Sequence, residues 1–171
     1  PHLQLMPRDW VDAWRPQGNQ FLTGLPTATI PGYLHEMEAT HRAKVDLVRR
    51  MRDAGVGFLA GTDVSNWNFT VPGTSLHSEL LWFTQAGLTP LEALQTATLN
   101  PAKYLGIEDS SGTVEAGKRA DLLVLDADPT VNIANTRRIV AVVLGGHLID
   151  RHELNAMLLH SQQRASEVPQ R

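Results

Sequence analysis

One carboxylate, Asp63, has the position in this chain that most strongly suggests chemistry. It follows the apolar run 56–61 by way of Thr62, and a polar loop comes after it. An apolar run of this length bounded by glycines predicts a buried parallel strand. A carboxylate at the end of such a strand would lie at the mouth of the sheet, where α/β barrels carry their active sites. Asp63 is therefore a candidate for metal binding or catalysis, with a turn or helix cap as the commoner alternative.

Three further residues near Asp63 are candidates for contact with a substrate. Asn66 and Trp67 belong to the loop just past Asp63, and a solvated loop with one anchoring tryptophan is the equal alternative. His77 lies near the start of the next predicted helix, where an imidazole could approach a substrate. The simpler interpretation of His77 is a histidine on the helix surface beside an apolar stripe.

Length and composition describe a globular chain or a part of one. With 171 residues, 42% of them hydrophobic and 19% charged, the sequence argues against wholesale disorder. A net charge of −3 gives no reason to expect a nucleic-acid partner or an anionic membrane surface. No apolar segment approaches the roughly 20 residues of a membrane span. The absence of cysteine excludes disulfides, thiolate metal sites and cysteine nucleophiles.

The first 32 residues predict a long irregular loop. They are rich in Pro, Gly, Trp and Gln and have no sustained periodicity. The chain starts Pro-His-Leu without a signal-peptide pattern, which suits a fragment as well as ordinary removal of methionine. Any signal peptide would lie upstream, so the compartment stays open, with the cytoplasm favoured.

Helices surround the segment that ends at Asp63. Residues 33–54 have apolar side chains at helical spacing and predict a helix closed by Gly55. Together with the run 56–61 this helix would form an αβ unit of a parallel sheet. A second helix is expected over residues 75–86.

Two more helices follow, and each has a clear start signal. The sequence Thr-Pro-Leu-Glu from Thr89 is a capping box with proline at the first helical position, and it predicts a helix to about Leu99. Asn100 and Pro101 repeat the combination of cap and proline, and Gly106 would close that short helix.

The last third of the chain has the pattern of β-strands and a final helix. Residues 120–126 predict a strand, and residues 139–144 and 147–150 predict a hairpin around two glycines. A helix over 153–159 and a polar tail complete the chain. One parallel strand and three or four further strands are too few to close a sheet, and a full (β/α)₈ barrel takes about 250 residues. We therefore expect the end of a larger architecture.

Several segments together resemble the metal-dependent amidohydrolase superfamily, in particular its imidazolonepropionase-like and prolidase-like members. Residues 57–63, GFLAGTD, resemble the last barrel strand of that superfamily, and residues 89–102, TPLEALQTATLNPA, resemble the helix pair that follows. The resemblance covers roughly residues 33–160. The match continues through residues 105–106, residues 112–122 and the Gly145-Gly146 hairpin.

The resemblance implies a fold class and a division into parts. It implies an α/β fold: the C-terminal part of a (β/α)₈ TIM-like barrel, then strands of a small β-sandwich and a terminal helix. Residues 1–106 would be the end of the catalytic barrel, residues 107–152 the sandwich strands, and residues 153–171 the C-terminal helix and tail.

The resemblance also implies chemistry for Asp63. This residue matches the family aspartate that binds a divalent metal, usually zinc, and carries a proton from the attacking water to the leaving nitrogen. The implied substrate is a small-molecule or peptide-like amide, as in a Xaa-Pro dipeptidase. His77 falls in a Leu-His-x-Glu-Leu segment common in this branch. The family's His-x-His, lysine and later histidines are not found here before Asp63, so the isolated chain is expected to be inactive.

A different class of function stays open at this point. The chain could be a non-catalytic module that folds alone or self-associates. In either case the helix 33–54 and the strand 56–61 should expose apolar faces that missing barrel strands would cover. We therefore expect a homo-oligomer, or association with a missing N-terminal half.

Overall fold

The computed structural model describes residues 4, 6, 11, 12, 14, 25–64 and 70–167 of the chain. The described part is a mixed α/β structure in which helices come first and a small antiparallel sheet follows. A 3₁₀ turn, Thr27–Thr29, precedes the first helix, and a 3₁₀ helix, Ile133–Arg137, lies between the first two strands. The elements are α1 (Ile30–Asp53), α2 (Thr74–Gln85), α3 (Pro90–Thr96), α4 (Leu99–Leu105), β1 (Leu122–Leu125), β2 (Ile139–Leu144), β3 (His147–Ile149) and α5 (Arg151–Glu167).

Helix α1 confirms the helix predicted over residues 33–54, and it begins three residues earlier, with proline in its first turn. The backbone turns at Gly55, whose φ is +77°, a value that glycine adopts without strain. None of the residues of α1 is buried. Leu34 and Met37 are about half exposed, at 51% and 52%, so the expected exposure of apolar side chains on this helix is confirmed.

The buried parallel strand predicted over residues 56–61 is wrong as a description of this structure. Residues 56–64 form no strand, and Val56 and Leu59 are each 44% exposed. A strand needs a neighbour that pairs with its backbone, and within the described residues the strands all belong to the sheet β1–β3. Phe58 and Ala60, on the other side of the segment, still pack against the core.

The core lies between α2, α3 and the 3₁₀ helix. The ring of Phe58 packs on that of Phe83 with centroids 5.6 Å apart, which attaches the segment 56–64 to α2. Burial of these apolar side chains is the main stabilising contribution in this part of the molecule. The buried members of the core are Leu80, Phe83, Leu88, Ala93 and Ile133.

The helices after the loop agree with their sequence signals, with two corrections: the end of α3, predicted at about Leu99, and the cap of α4. Helix α2 lies one residue earlier than predicted, and α3 has the full capping box between Thr89 and Glu92 but ends at Thr96. Helix α4 begins at Leu99, so Asn100 is inside the helix and is not its cap. Its side chain is used elsewhere, in a hydrogen bond to the segment that precedes Asp63.

The sheet has the order β1-β2-β3 and is antiparallel throughout. The predicted hairpin is confirmed: Leu144 pairs with His147 around Gly145 and Gly146, which both have positive φ. The sandwich expected from the resemblance is not seen, because the described residues contain a single three-stranded sheet. Helix α5 is longer than predicted and includes most of the expected polar tail, since Gln, Arg and Ala in residues 160–167 favour a helix.

The 3₁₀ helix Ile133–Arg137 was not predicted. Asn132 caps it, with Oδ1 accepting a hydrogen bond from the backbone of Ala134 at 3.0 Å. Ile133 and Thr136 are buried, at 3% and 4% exposure. The segment fastens the connection between β1 and β2 onto α2, so the sheet is joined to the helical part.

Candidate functional site

Asp63 ends the segment 56–63 in a backbone conformation that few residues adopt. Its φ is +46°, and it is the one non-glycine with positive φ among the described residues. Aspartate tolerates this left-handed region better than most side chains, but the conformation is held only where the surroundings impose it. The side chain is exposed. A carboxylate on a constrained turn and open to approach is suited to bind a ligand.

Three hydrogen bonds from three different helices hold the segment that leads to Asp63. The backbone N–H of Ala60 donates to the carbonyl of Thr96, at the end of α3, at 2.8 Å. The side-chain amide of Asn100 on α4 donates to the carbonyl of Phe58 at 3.1 Å. These bonds take the place that pairing to neighbouring strands would have in a sheet.

The third bond is the one closest to Asp63. The backbone N–H of Gly61 donates to Oε1 of Glu79, on α2, at 3.0 Å. The other carboxylate oxygen, Oε2, is buried and has no hydrogen-bond partner within the described residues. Glu79 is the glutamate of the Leu-His-x-Glu-Leu segment around His77, and it was not among the predicted site residues. The available signal was an acidic residue next to the apolar positions Leu80 and Phe83 of the same helix.

His77 lies on a different side of α2. Its Nδ1 is 2.9 Å from Oγ1 of Thr136, and that hydroxyl donates its hydrogen to the carbonyl of Ile133 at 2.8 Å. The Thr136 oxygen must therefore accept from His77, which places the ring proton on Nδ1. His77 and Glu79 are about 200° apart around a helix of 3.6 residues per turn. No hydrogen bond that the described residues show joins His77 to Asp63, and its contact with a substrate stays a prediction.

Asn66 and Trp67, the other two predicted substrate contacts, lie in residues 65–69, outside the described residues. Their role stays a prediction from the sequence. The described residues on either side of this gap are Val64 and Thr70.

A cleft of about 640 Å³ separates α1 from α2, on the side of α2 that carries Glu79. Its walls are mainly apolar, and His41 meets Trp82 edge to face with ring centroids 5.1 Å apart. The predicted apolar stripe of α1 lines this cleft through Met37, Val45 and Val48. A volume of this size is in the range of small-molecule sites and of grooves that accept a protein segment.

The donor set in the described part of the chain does not amount to a metal site. Among those residues, no three His, Asp or Glu side chains come close enough together to hold an ion. A zinc site needs three or four protein ligands, and Asp63 would supply one. The resident metal implied by the resemblance therefore does not fit the described residues alone.

Sequence comparison decides the family. A model of the amidohydrolase family matches residues 34–149, more than half of the chain and including the turn at Asp63. The chain belongs to the amidohydrolase family. This confirms the resemblance found over residues 33–160. None of the helices in the described part of this amidohydrolase chain has the length and apolar content of a membrane span.

Curated relatives and solved structures agree with this family. The chain is 37% identical over 117 residues to the imidazolonepropionase of Micrococcus luteus, covering 66% of this chain and 27% of the relative. It is 33% identical over 157 residues to that of Shewanella pealeana, covering 86% and 34%. A crystal structure of a Xaa-Pro dipeptidase with methionine in its active site is similar with a TM-score of 0.55 and 29% identity, over 62% of this chain and 25% of that one. The match thus spans between about a quarter and a third of the length of these curated relatives.

Proposed function

We propose that this chain is the C-terminal portion of a metal-dependent hydrolase that acts on amide-type C–N bonds. The observation that carries the proposal is the turn at Asp63, a carboxylate in a left-handed conformation within the region that matches the amidohydrolase family. Strained backbone of this kind clusters at functional sites. The supporting relatives are an imidazolonepropionase and a Xaa-Pro dipeptidase, and the second of these names denotes hydrolysis of a peptide bond.

Asp63 has two roles in this proposal, as a ligand of a divalent metal, most simply zinc, and as the proton carrier. A divalent metal bound in the complete protein, with Asp63 as one of its ligands, would supply Lewis-acid chemistry at the carbonyl group and at the attacking water. Asp63 then takes the proton of the attacking water and delivers it to the leaving nitrogen. Because Asp63 is exposed, its carboxylate is accessible to a metal ion and to the attacking water. The remaining ligands would come from residues upstream of this chain.

The proposed substrate is a small-molecule or peptide-like amide, with a Xaa-Pro dipeptide as the first compound to test. The similar dipeptidase structure supports this choice. We propose that this chain alone is inactive, because one carboxylate is too few ligands for a zinc site. Association with the upstream portion, or with a second copy, would cover the apolar cleft between α1 and α2.

The alternative, a module that folds or self-associates without catalysis, draws on the same exposed cleft. The two proposals differ in what the complete polypeptide does. The experiment is to produce this chain together with its upstream coding region, determine bound zinc by elemental analysis, and assay hydrolysis of Xaa-Pro dipeptides and of a cyclic amide. Bound zinc with turnover supports the hydrolase. A folded protein with neither bound zinc nor turnover would support the non-catalytic module.

A further inference from the structure

Glu79 connects the body of α2 to the turn that presents Asp63. Its Oε1 accepts the hydrogen bond of the Gly61 N–H at 3.0 Å, two residues before the carboxylate proposed to carry the proton. The backbone of Gly61 is reached across 18 residues of sequence by this side chain. Glu79 also stands at the edge of the cleft between α1 and α2.

The position of Glu79 is not explained by stability alone. Oε2 is buried with no hydrogen-bond partner in the part of the chain that the structure describes, which is an unfavourable state for a carboxylate oxygen. An apolar residue beside Leu80 and Phe83 would avoid that loss. The one hydrogen bond that the Glu79 carboxylate makes within the described residues is the bond from the Gly61 N–H, so this bond is what the side chain contributes at its position.

The bond from the Gly61 N–H to Glu79 constrains the backbone at a point where few other contacts among the described residues do. Glycine at 61 has open space on the side where a Cβ would lie, so neighbouring side chains do not fix this point sterically. Ala60 and Phe58 are fastened by their own hydrogen bonds, but these come earlier along the segment. The bond from Glu79 is therefore the last one described before the left-handed conformation of Asp63.

We propose that Glu79 is a positioning residue that holds the Gly61–Asp63 turn, and thereby the Asp63 carboxylate, in its working orientation. The proposal rests on the proposed function of Asp63. Catalysis depends on geometry to within fractions of an ångström, and a displacement of about 1 Å can lower turnover by about 100-fold. Glu79 would exert this effect through the backbone, with no contact to the substrate.

The first experiment measures amide hydrogen exchange of Gly61 by NMR in this chain. Glu79→Leu removes the acceptor and should speed exchange at Gly61 by about tenfold or more, the factor expected for a lost charge-assisted bond. Glu79→Gln keeps an amide oxygen that can accept the same bond and should stay within about threefold of the wild type. Glu108→Leu, the same change at an exposed turn residue, is the matched control. Equal Gly61 exchange in the wild type and in Glu79→Leu would overturn the proposal.

The second experiment measures kinetics in the polypeptide that includes the upstream portion. Glu79→Leu should lower kcat by about 10- to 100-fold with KM nearly unchanged, and Glu79→Gln should restore most of kcat. A Glu79→Gln variant that protects Gly61 yet loses as much kcat as Glu79→Leu would overturn the positioning role. If the wild type has no hydrolytic activity, the proposed function fails, and Gly61 exchange still decides whether Glu79 holds the turn.

Discussion

The side-chain amide of Asn100 donates a hydrogen bond to the carbonyl of Phe58 at 3.1 Å, across 42 residues of sequence. This contact joins α4 to the segment that ends at Asp63. The bond is partly buried, so the Phe58 carbonyl would lose its partner and gain little water if the amide were removed.

We expect Asn100→Ala to lower the free energy of unfolding by about 1–2 kcal/mol, because it leaves a partly buried carbonyl unpaired. Urea unfolding followed by circular dichroism measures the change. Asn155→Ala, at an exposed position of α5, is the control, since it has the same effect on helix propensity without the bond. Equal stability of the two variants would show that the Asn100 contact contributes nothing.

The left-handed backbone conformation of Asp63 determines which substitutions the fold tolerates, whatever the chemical role of the carboxylate. Asp63→Asn and Asp63→Gly should keep the wild-type stability to within about 1 kcal/mol, because both residues tolerate a φ of +46°. Asp63→Val should cost about 1–2 kcal/mol more, since a β-branched residue is strained there. Asp109→Val, in an exposed turn without positive φ, supplies the reference. Equal stability of the Asp63→Val and Asp63→Asn variants would contradict the described turn.

Glu92 should make α3 sensitive to acid. Its pKa is lowered from the ordinary 4.5, first by the hydrogen bond from the Thr89 N–H, then by that from the Thr89 hydroxyl, with a smaller contribution from Arg52. The lowered pKa means that the carboxylate stabilises the fold above pH 4.5, and that this stabilisation is lost as pH falls through the folded-state value.

When the pH is lowered from 6 to below 4.5, the free energy of unfolding should therefore fall less in Glu92→Gln than in the wild type. Thr89→Ala should lower stability at pH 7 by about 1 kcal/mol, as expected for a lost helix cap. Thermal unfolding at several pH values measures both. Parallel pH curves for Glu92→Gln and the wild type would be inconsistent with the capping box as the source of acid sensitivity.

The local elements of this fold could be predicted because their signals are local. The capping box at Thr89 and the two glycines of the β2–β3 hairpin specify backbone geometry within four residues, and both are found as predicted. The irregular conformation of residues 56–61 could not be predicted from the sequence. The apolar pattern of this run indicates burial between neighbouring strands, but within the described residues no strand lies beside it.

The residues that hold the candidate site were the hardest to find from the sequence. Asp63 is a predicted site residue because it follows an apolar run and matches a family motif. Glu79 and Asn100 reach the same segment from 18 and 42 residues away, and their partners are backbone atoms, so the residue types alone do not identify which atoms they contact. The prediction of Asn100 as a helix cap is wrong, because an asparagine side chain can either cap a local helix or donate a hydrogen bond to a residue far away in the sequence.

The exposed cleft between α1 and α2 predicts association. We expect this chain alone to form dimers or larger species in light scattering and to bind a hydrophobic dye. Met37→Glu, which places a charge in the cleft, should reduce both. Met157→Glu is the matched control on α5, since the two methionines are similarly exposed, at 52% and 57%. A monomeric wild type without dye binding would argue against a partner at this surface.

The turnover of the Asp63→Asn variant shows whether Asp63 carries the proton of the attacking water. The measurement compares kcat/KM for a hydrolysed amide in the polypeptide that includes the upstream portion, with and without this substitution. We predict a fall of about 100- to 10,000-fold, the usual contribution of a general base, with folding stability within about 1 kcal/mol of the wild type. Unchanged kcat/KM in the folded variant would mean that Asp63 is not the proton carrier.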